Sequence, residues 1–67
     1  MTNSYDVFGC VGDAEIFLGS SDMLQIAVLT ANNNLGPTRY QSVVIYDVKK
    51  ENEEIVSREV VQRLHLD

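Results

Sequence analysis

The chain has no tryptophan, and only one cysteine, one histidine and one proline in 67 residues. A single thiol, Cys10, cannot form an internal disulfide. With His65 as its only soft companion, there is no Cys/His set for a structural zinc either. Cys10 sits among apolar neighbours, Phe8-Gly9-Cys10-Val11, and reads as a small buried hydrophobe of a reducing compartment rather than a reactive thiol. The first residues carry no basic region and no long apolar run, so neither a signal peptide nor a membrane span is legible. A cytoplasmic location is the expectation.

Positive charge is also scarce. Residues 1–48 hold Asp6, Asp13, Glu15, Asp22 and Asp47 against Arg39 alone, a net −4 out of the formal −5 of the whole chain. A protein that grips a polyanion displaces counterions with several Lys or Arg side chains, and this part has one. Catalytic groups are equally thin. His65 lies two residues from the end and suits a helix C-terminus or open solvent. Asp13 and Glu15 share a strand face near a turn, where such carboxylates are ordinarily solvated. Gly9-Cys10-Val11-Gly12 lacks the lysine and the strand–helix context of a phosphate loop, and Glu51, Glu53 and Glu54 read as an exposed acidic face. No enzyme activity, metal or cofactor is expected.

What is present is a folded domain's share of hydrophobic residues, 45%. Sixty-seven residues make one small domain, residues 1–67, near the lower limit at which a single core sustains a fold. With metal and disulfide excluded, oligomerisation is the remaining reinforcement. Residues 5–18 read as the first strand region, with β-branched and aromatic residues from Tyr5 to Val11, a turn signal at Gly12-Asp13 and renewed extended character over Glu15-Ile16-Phe17-Leu18. Residues 23–31 form an apolar run broken only by Gln25 and Thr30, consistent with a strand buried on much of both faces. Asn32-Asn33-Asn34-Leu35-Gly36-Pro37 is a loop, and residues 38–48 read as a third strand.

The last segment has two readings. Asn52 can cap a helix over residues 52–65, with Glu53 and Glu54 in its first turn and Val56, Val60 and Leu64 along one face. Alternatively, residues 49–54 are the loop of a hairpin whose return strand, residues 55–61, explains the β-branched Ile55, Val56, Val60 and Val61. The helix is the preferred expectation.

The stretch "TRYQSVVIYD", residues 38–47, raises the functional question. Period-two alternation puts Tyr40, Ser42, Val44 and Tyr46 on one face and Arg39, Gln41, Val43 and Ile45 on the other. Tyrosines on a half-exposed strand face are ordinary in any small sheet, where they cover neighbours and keep the hydroxyl wet.

Three short stretches in order, "VFGCVGDAEI" (7–16), "MLQIAVLTANN" (23–33) and "TRYQSVVIYD", resemble the first three strands of the bacterial single-stranded-DNA-binding protein family. The resemblance spans about 45 residues, the N-terminal two thirds of the chain, and implies an OB-fold. Tyr40 and Tyr46 then stand at the family's base-stacking tryptophan and phenylalanine, Phe17 is a further aromatic, and Arg39 touches phosphate. Base–aromatic stacking is worth about 1–3 kcal/mol per base with little sequence preference.

The sequence departs from that family at several points. Ser42 replaces an arginine and Arg39 an acid, the "NNNLGP" loop has neither aromatic nor lysine, and the C-terminal residues are not the family's acidic recruiting tail. DNA affinity is therefore expected to be weak, or assisted by Lys49, Lys50, Arg58 and Arg63 folding back.

A five-stranded barrel is also longer than the strands present, so open edges should invite a second copy. The expected fold is mainly β with one C-terminal helix, a truncated OB-like sheet completed by homo-oligomerisation. The expected function is single-stranded DNA binding in replication, recombination or repair. The alternative is a degenerate OB-like protein-interaction module of phage or mobile-element type that does not bind DNA.

Overall fold

The computed structural model describes residues 2–66. Its elements are β1 (Thr2–Val11), β2 (Ala14–Ser21), α1 (Leu24–Asn34), β3 (Ser42–Glu51) and β4 (Glu54–His65). The four strands form one open sheet in the order β2-β1-β3-β4, every neighbouring pair antiparallel. The mainly β class and the single helix agree with the sequence reading. The helix lies in the middle of the chain, however, not at its end.

Two tight turns set the registers. Val11 pairs with Ala14 across Gly12-Asp13, and Gly12 takes φ 58°, as a two-residue hairpin demands at its first central position. Glu51 pairs with Glu54 across Asn52-Glu53, both with positive φ (53° and 67°), the signature of a type I′ turn. This overturns the helix expected over residues 52–65. Asn serves both as a helix cap and as a left-handed turn residue, and the β-branched residues after it selected the hairpin. His65 accordingly ends a strand, opposite Ser42, rather than a helix.

The strand expected over residues 23–31 is also corrected, because this run lies in α1. Periodicity cannot separate a buried strand from a buried helix in a short apolar run. Here Leu24, Gln25, Ala27, Leu29 and Ala31 are good helix formers, and Ala27 and Ala31, four apart, give a flat stripe that packs closely on the sheet. The three asparagines extend the helix, with Asn34 Nδ2 donating to the Thr30 carbonyl at 2.8 Å.

Topology requires this helix. β2 and β3 are both antiparallel to β1, which lies between them, so they run parallel to each other and need a crossover connection. α1 makes that crossing over β1 and buries one sheet face. The core on this side is Val7, Ala27, Ala31, Val43 and Ile45, flanked by Tyr5, Leu18, Val28, Leu35, Tyr40 and Leu64. The opposite face carries Val44, Tyr46 and Val48 with Phe8 and Cys10, and no element of the described chain covers it. Val43 through Tyr46 are all buried, Val43 and Ile45 in the core beneath α1, and Val44 and Tyr46 among side chains of their own sheet face such as Phe8.

Candidate interaction site

The uncovered sheet face is built from four strands. Residues directly opposite in a ladder share a face, which brings Phe17 of β2 beside Phe8 of β1, Val44 opposite Phe8, and Arg58 and Arg63 of β4 opposite Val48 and Val44. Phe8 meets Phe17 and Tyr46 edge-to-face, with ring centroids 5.6 Å apart in both pairs. The Arg58 guanidinium lies 3.8 Å above the Tyr46 ring and 5.2 Å from that of Phe8. Its Nη2 also donates to Glu15 Oε1 at 2.8 Å, and the Tyr46 hydroxyl donates to Glu15 Oε2 at 2.7 Å.

Tyr46 is held neutral by this arrangement. Its hydroxyl proton is bound to the Glu15 carboxylate, burial disfavours a phenolate, and the negative charge of Glu15 adds to both, so its pKa is raised despite the opposing charges of Arg58 and Arg63.

The two tyrosines do not share a face. Tyr46 is 9% exposed, beneath Arg58. Tyr40 precedes β3, so strand alternation does not govern it. Its N–H donates to the Asn34 carbonyl and its carbonyl accepts from Gly36, and the half-buried ring packs on the α1 side, against the core. There it lies directly over Gly9, where a Cβ would approach within 2.6 Å of its Cε1. Arg39 belongs to the same loop, its guanidinium donating to the Asn33 carbonyl at the end of α1. Of the four residues singled out in the sequence, Phe17 and Tyr46 come together, through Phe8, while Tyr40 and Arg39 lie elsewhere.

Phe8, Glu15 and Arg58 were not legible as members of this cluster. Arg58 joins it only because residues 54–65 form a strand, and Glu15 only because β2 returns alongside β1. Arg58 and Arg63 do fold back beside Tyr46, whereas Lys49 and Lys50 lie toward the β3–β4 turn.

A second surface is apolar. Residues 23–38 contain no ionisable side chain. Within them α1 turns the small Ala27 and Ala31 inward and leaves Ile26 and Leu29 exposed, Leu29 by 58%. On β2, an edge strand on which α1 also packs, Ile16 (44%) is exposed opposite Gly9, whereas the exposed Phe17 (58%) belongs to the other face, beside Phe8. No protein-family model, no curated protein and no solved structure matches the chain. Among the described residues no helix is long and apolar enough to cross a membrane.

Proposed function

We propose that the chain is a protein-interaction module whose α1 and β2 surfaces are covered in use by another polypeptide. The inside-out helix carries this reading. A surface helix normally buries its large apolar residues and shows charge to water, whereas this one buries alanines and shows Ile26 and Leu29 on a stretch without any charge. Open strand edges add backbone donors and acceptors for a partner.

Single-stranded DNA binding on the uncovered sheet face is the second reading. It is supported by the exposed Phe17 ring next to Phe8, by Arg58 and Arg63 on the same face, and by the resemblance to the single-stranded-DNA-binding family. An OB-like barrel, the architecture which that resemblance implies, belongs to this reading. An open four-stranded sheet with a helix in the place of the second strand lends it less support than the aromatic cluster does.

Titration of a labelled oligothymidylate at low salt separates the two. The interaction reading expects no binding at high micromolar protein. Binding that Phe17→Ala abolishes and that weakens steeply with salt would replace it with the DNA reading.

A further inference from the structure

The bare face of the sheet is closed by its own side chains. No helix or strand of the described chain lies over it, yet Val44 and Val48 are 0% and 1% exposed. Glu15 stands on β2 and Arg58 on β4, the two outer strands, and their 2.8 Å ion pair reaches across both central strands, β1 and β3. The planar guanidinium lies 3.8 Å above the Tyr46 ring, an ordinary contact distance, where any flat group would stack. The Arg58 and Glu15 side chains are 42% and 33% exposed, and pairs so open to water contribute little to stability.

Charge is also unevenly placed. By ladder position Lys50, Arg58 and Arg63 belong to the bare face together with Asp6 and Glu15, three cations against two carboxylates. The rest of the sequence sets eight acidic side chains against Arg39 and Lys49. Asp6 accepts from the Ser4 and Ser20 hydroxyls, both at 2.8 Å, and Arg63 forms no ion pair among the described residues. The face that carries the aromatic rings is therefore the cationic side of an acidic chain, and an anion approaches it more favourably than it approaches the remainder.

We propose that the Glu15–Arg58 pair is a gate on this face: a single-stranded nucleic acid opens it by drawing Arg58 onto a phosphate, and an unpaired base takes the place of the guanidinium over Tyr46. The inference goes beyond the interaction module, which uses α1 and β2, and rests on the nucleic-acid reading of the bare face. Chemistry selects the occupant. A phosphate accepts from a guanidinium as the Glu15 carboxylate does, and a base supplies the flat surface that the Tyr46 ring loses when Arg58 leaves. A strand engages only the open arrangement, so the closed pair lowers its apparent affinity in proportion to the time the face stays shut.

Titration of labelled oligothymidylate at low salt tests this with Glu15→Gln, which frees Arg58 while its amide oxygen still accepts from the Tyr46 hydroxyl. Glu59→Gln, opposite Asp47 on the other face, changes the net charge equally and serves as the control. Circular dichroism checks that each variant is folded. The expected result is binding by Glu15→Gln at least tenfold tighter than by the wild type, no such gain for Glu59→Gln, and loss of the gain when Arg58→Gln is added. Should Glu15→Gln unfold, nuclear magnetic resonance of the wild type decides instead: oligothymidylate shifts the Arg58 Nε–H and the Tyr46 ring signals together and leaves Leu29 on α1 unmoved.

Equal binding by the wild type and Glu15→Gln overturns the gate and leaves the nucleic-acid reading standing. An equal gain for Glu59→Gln assigns the effect to net charge and also overturns the gate. Absence of binding by every variant, or of shifts in the wild type if Glu15→Gln unfolds, overturns both, and the interaction module alone remains.

Discussion

Tyr46 and Glu15, 31 residues apart in sequence, are joined by a 2.7 Å hydrogen bond that spans the uncovered face from β3 to β2. Arg58 closes the arrangement from β4 by holding the other carboxylate oxygen and lying over the phenol ring. Three strands are tied by three side chains, on a face that no helix covers. A hydrogen bond to a charged acceptor contributes about 1.5–3 kcal/mol, and Glu15 is partly exposed, which places this one toward the lower value.

Tyr46→Phe is expected to lower stability to urea by about 1–2 kcal/mol, because the ring packing stays while Glu15 loses a donor. It should also change the alkaline limb. The folded-state pKa of Tyr46 is raised above its ordinary 10.0, so its contribution is complete below pH 10 and is lost as pH rises through the folded value. Urea midpoints measured from pH 8 to 11.5 should fall more steeply above pH 10 for the wild type than for Tyr46→Phe. Parallel curves would count against the bond.

Gly9→Ala is expected to destabilise the protein by about 1–3 kcal/mol, since the added methyl meets the body of the Tyr40 ring. The two sites should couple. In the background of Tyr40→Ala the same substitution should cost far less, and a double-mutant cycle on denaturant midpoints reads the difference. Additive costs would mean that Tyr40 does not occupy this place.

Glu53→Gly should stabilise the β3–β4 hairpin by about 1 kcal/mol. Glu53 has φ 67°, where a side chain is strained, and Asn-Gly is the preferred pair for this turn. A rise in thermal midpoint is the readout. A fall would indicate that the turn is not of this type.

Asp47 lies directly opposite Glu59, and its buried Oδ1 has no hydrogen-bond partner among the described residues. Like charges facing each other across a ladder destabilise it, and an unpaired buried oxygen adds to the cost. Asp47→Thr is therefore expected to stabilise by about 0.5–1 kcal/mol, with the gain shrinking at high salt if repulsion is its main source. Stability measured at low and high ionic strength checks both parts.

The turn at Gly12-Asp13 was legible by local chemistry alone, although residues 5–18 read as one strand region and the structure makes them a hairpin of two strands, and most of β3 was legible because Val43 to Val48 suit a pleated, buried strand. Two elements were not legible. Residues 23–31 suit a strand or a helix equally by hydrophobicity, and Asn52 begins a helix or a turn equally well. Each ambiguity was resolved by a need that arises outside the segment: the parallel relation of β2 and β3 required a crossover, and the open side of β3 accepted a return strand. The candidate site followed the same division. Sequence pointed to Phe17 and Tyr46, while only the sheet order added Phe8, Glu15 and Arg58 and sent Tyr40 to the far side.

Composition by itself determined a small, acidic chain without an internal disulfide or a Cys/His zinc set, because counts of side chains suffice for such statements. Which aromatic rings meet and which face stays bare were decided by the tertiary structure. These depend on the order of strands in space, and alternation along one strand carries no information about its neighbours.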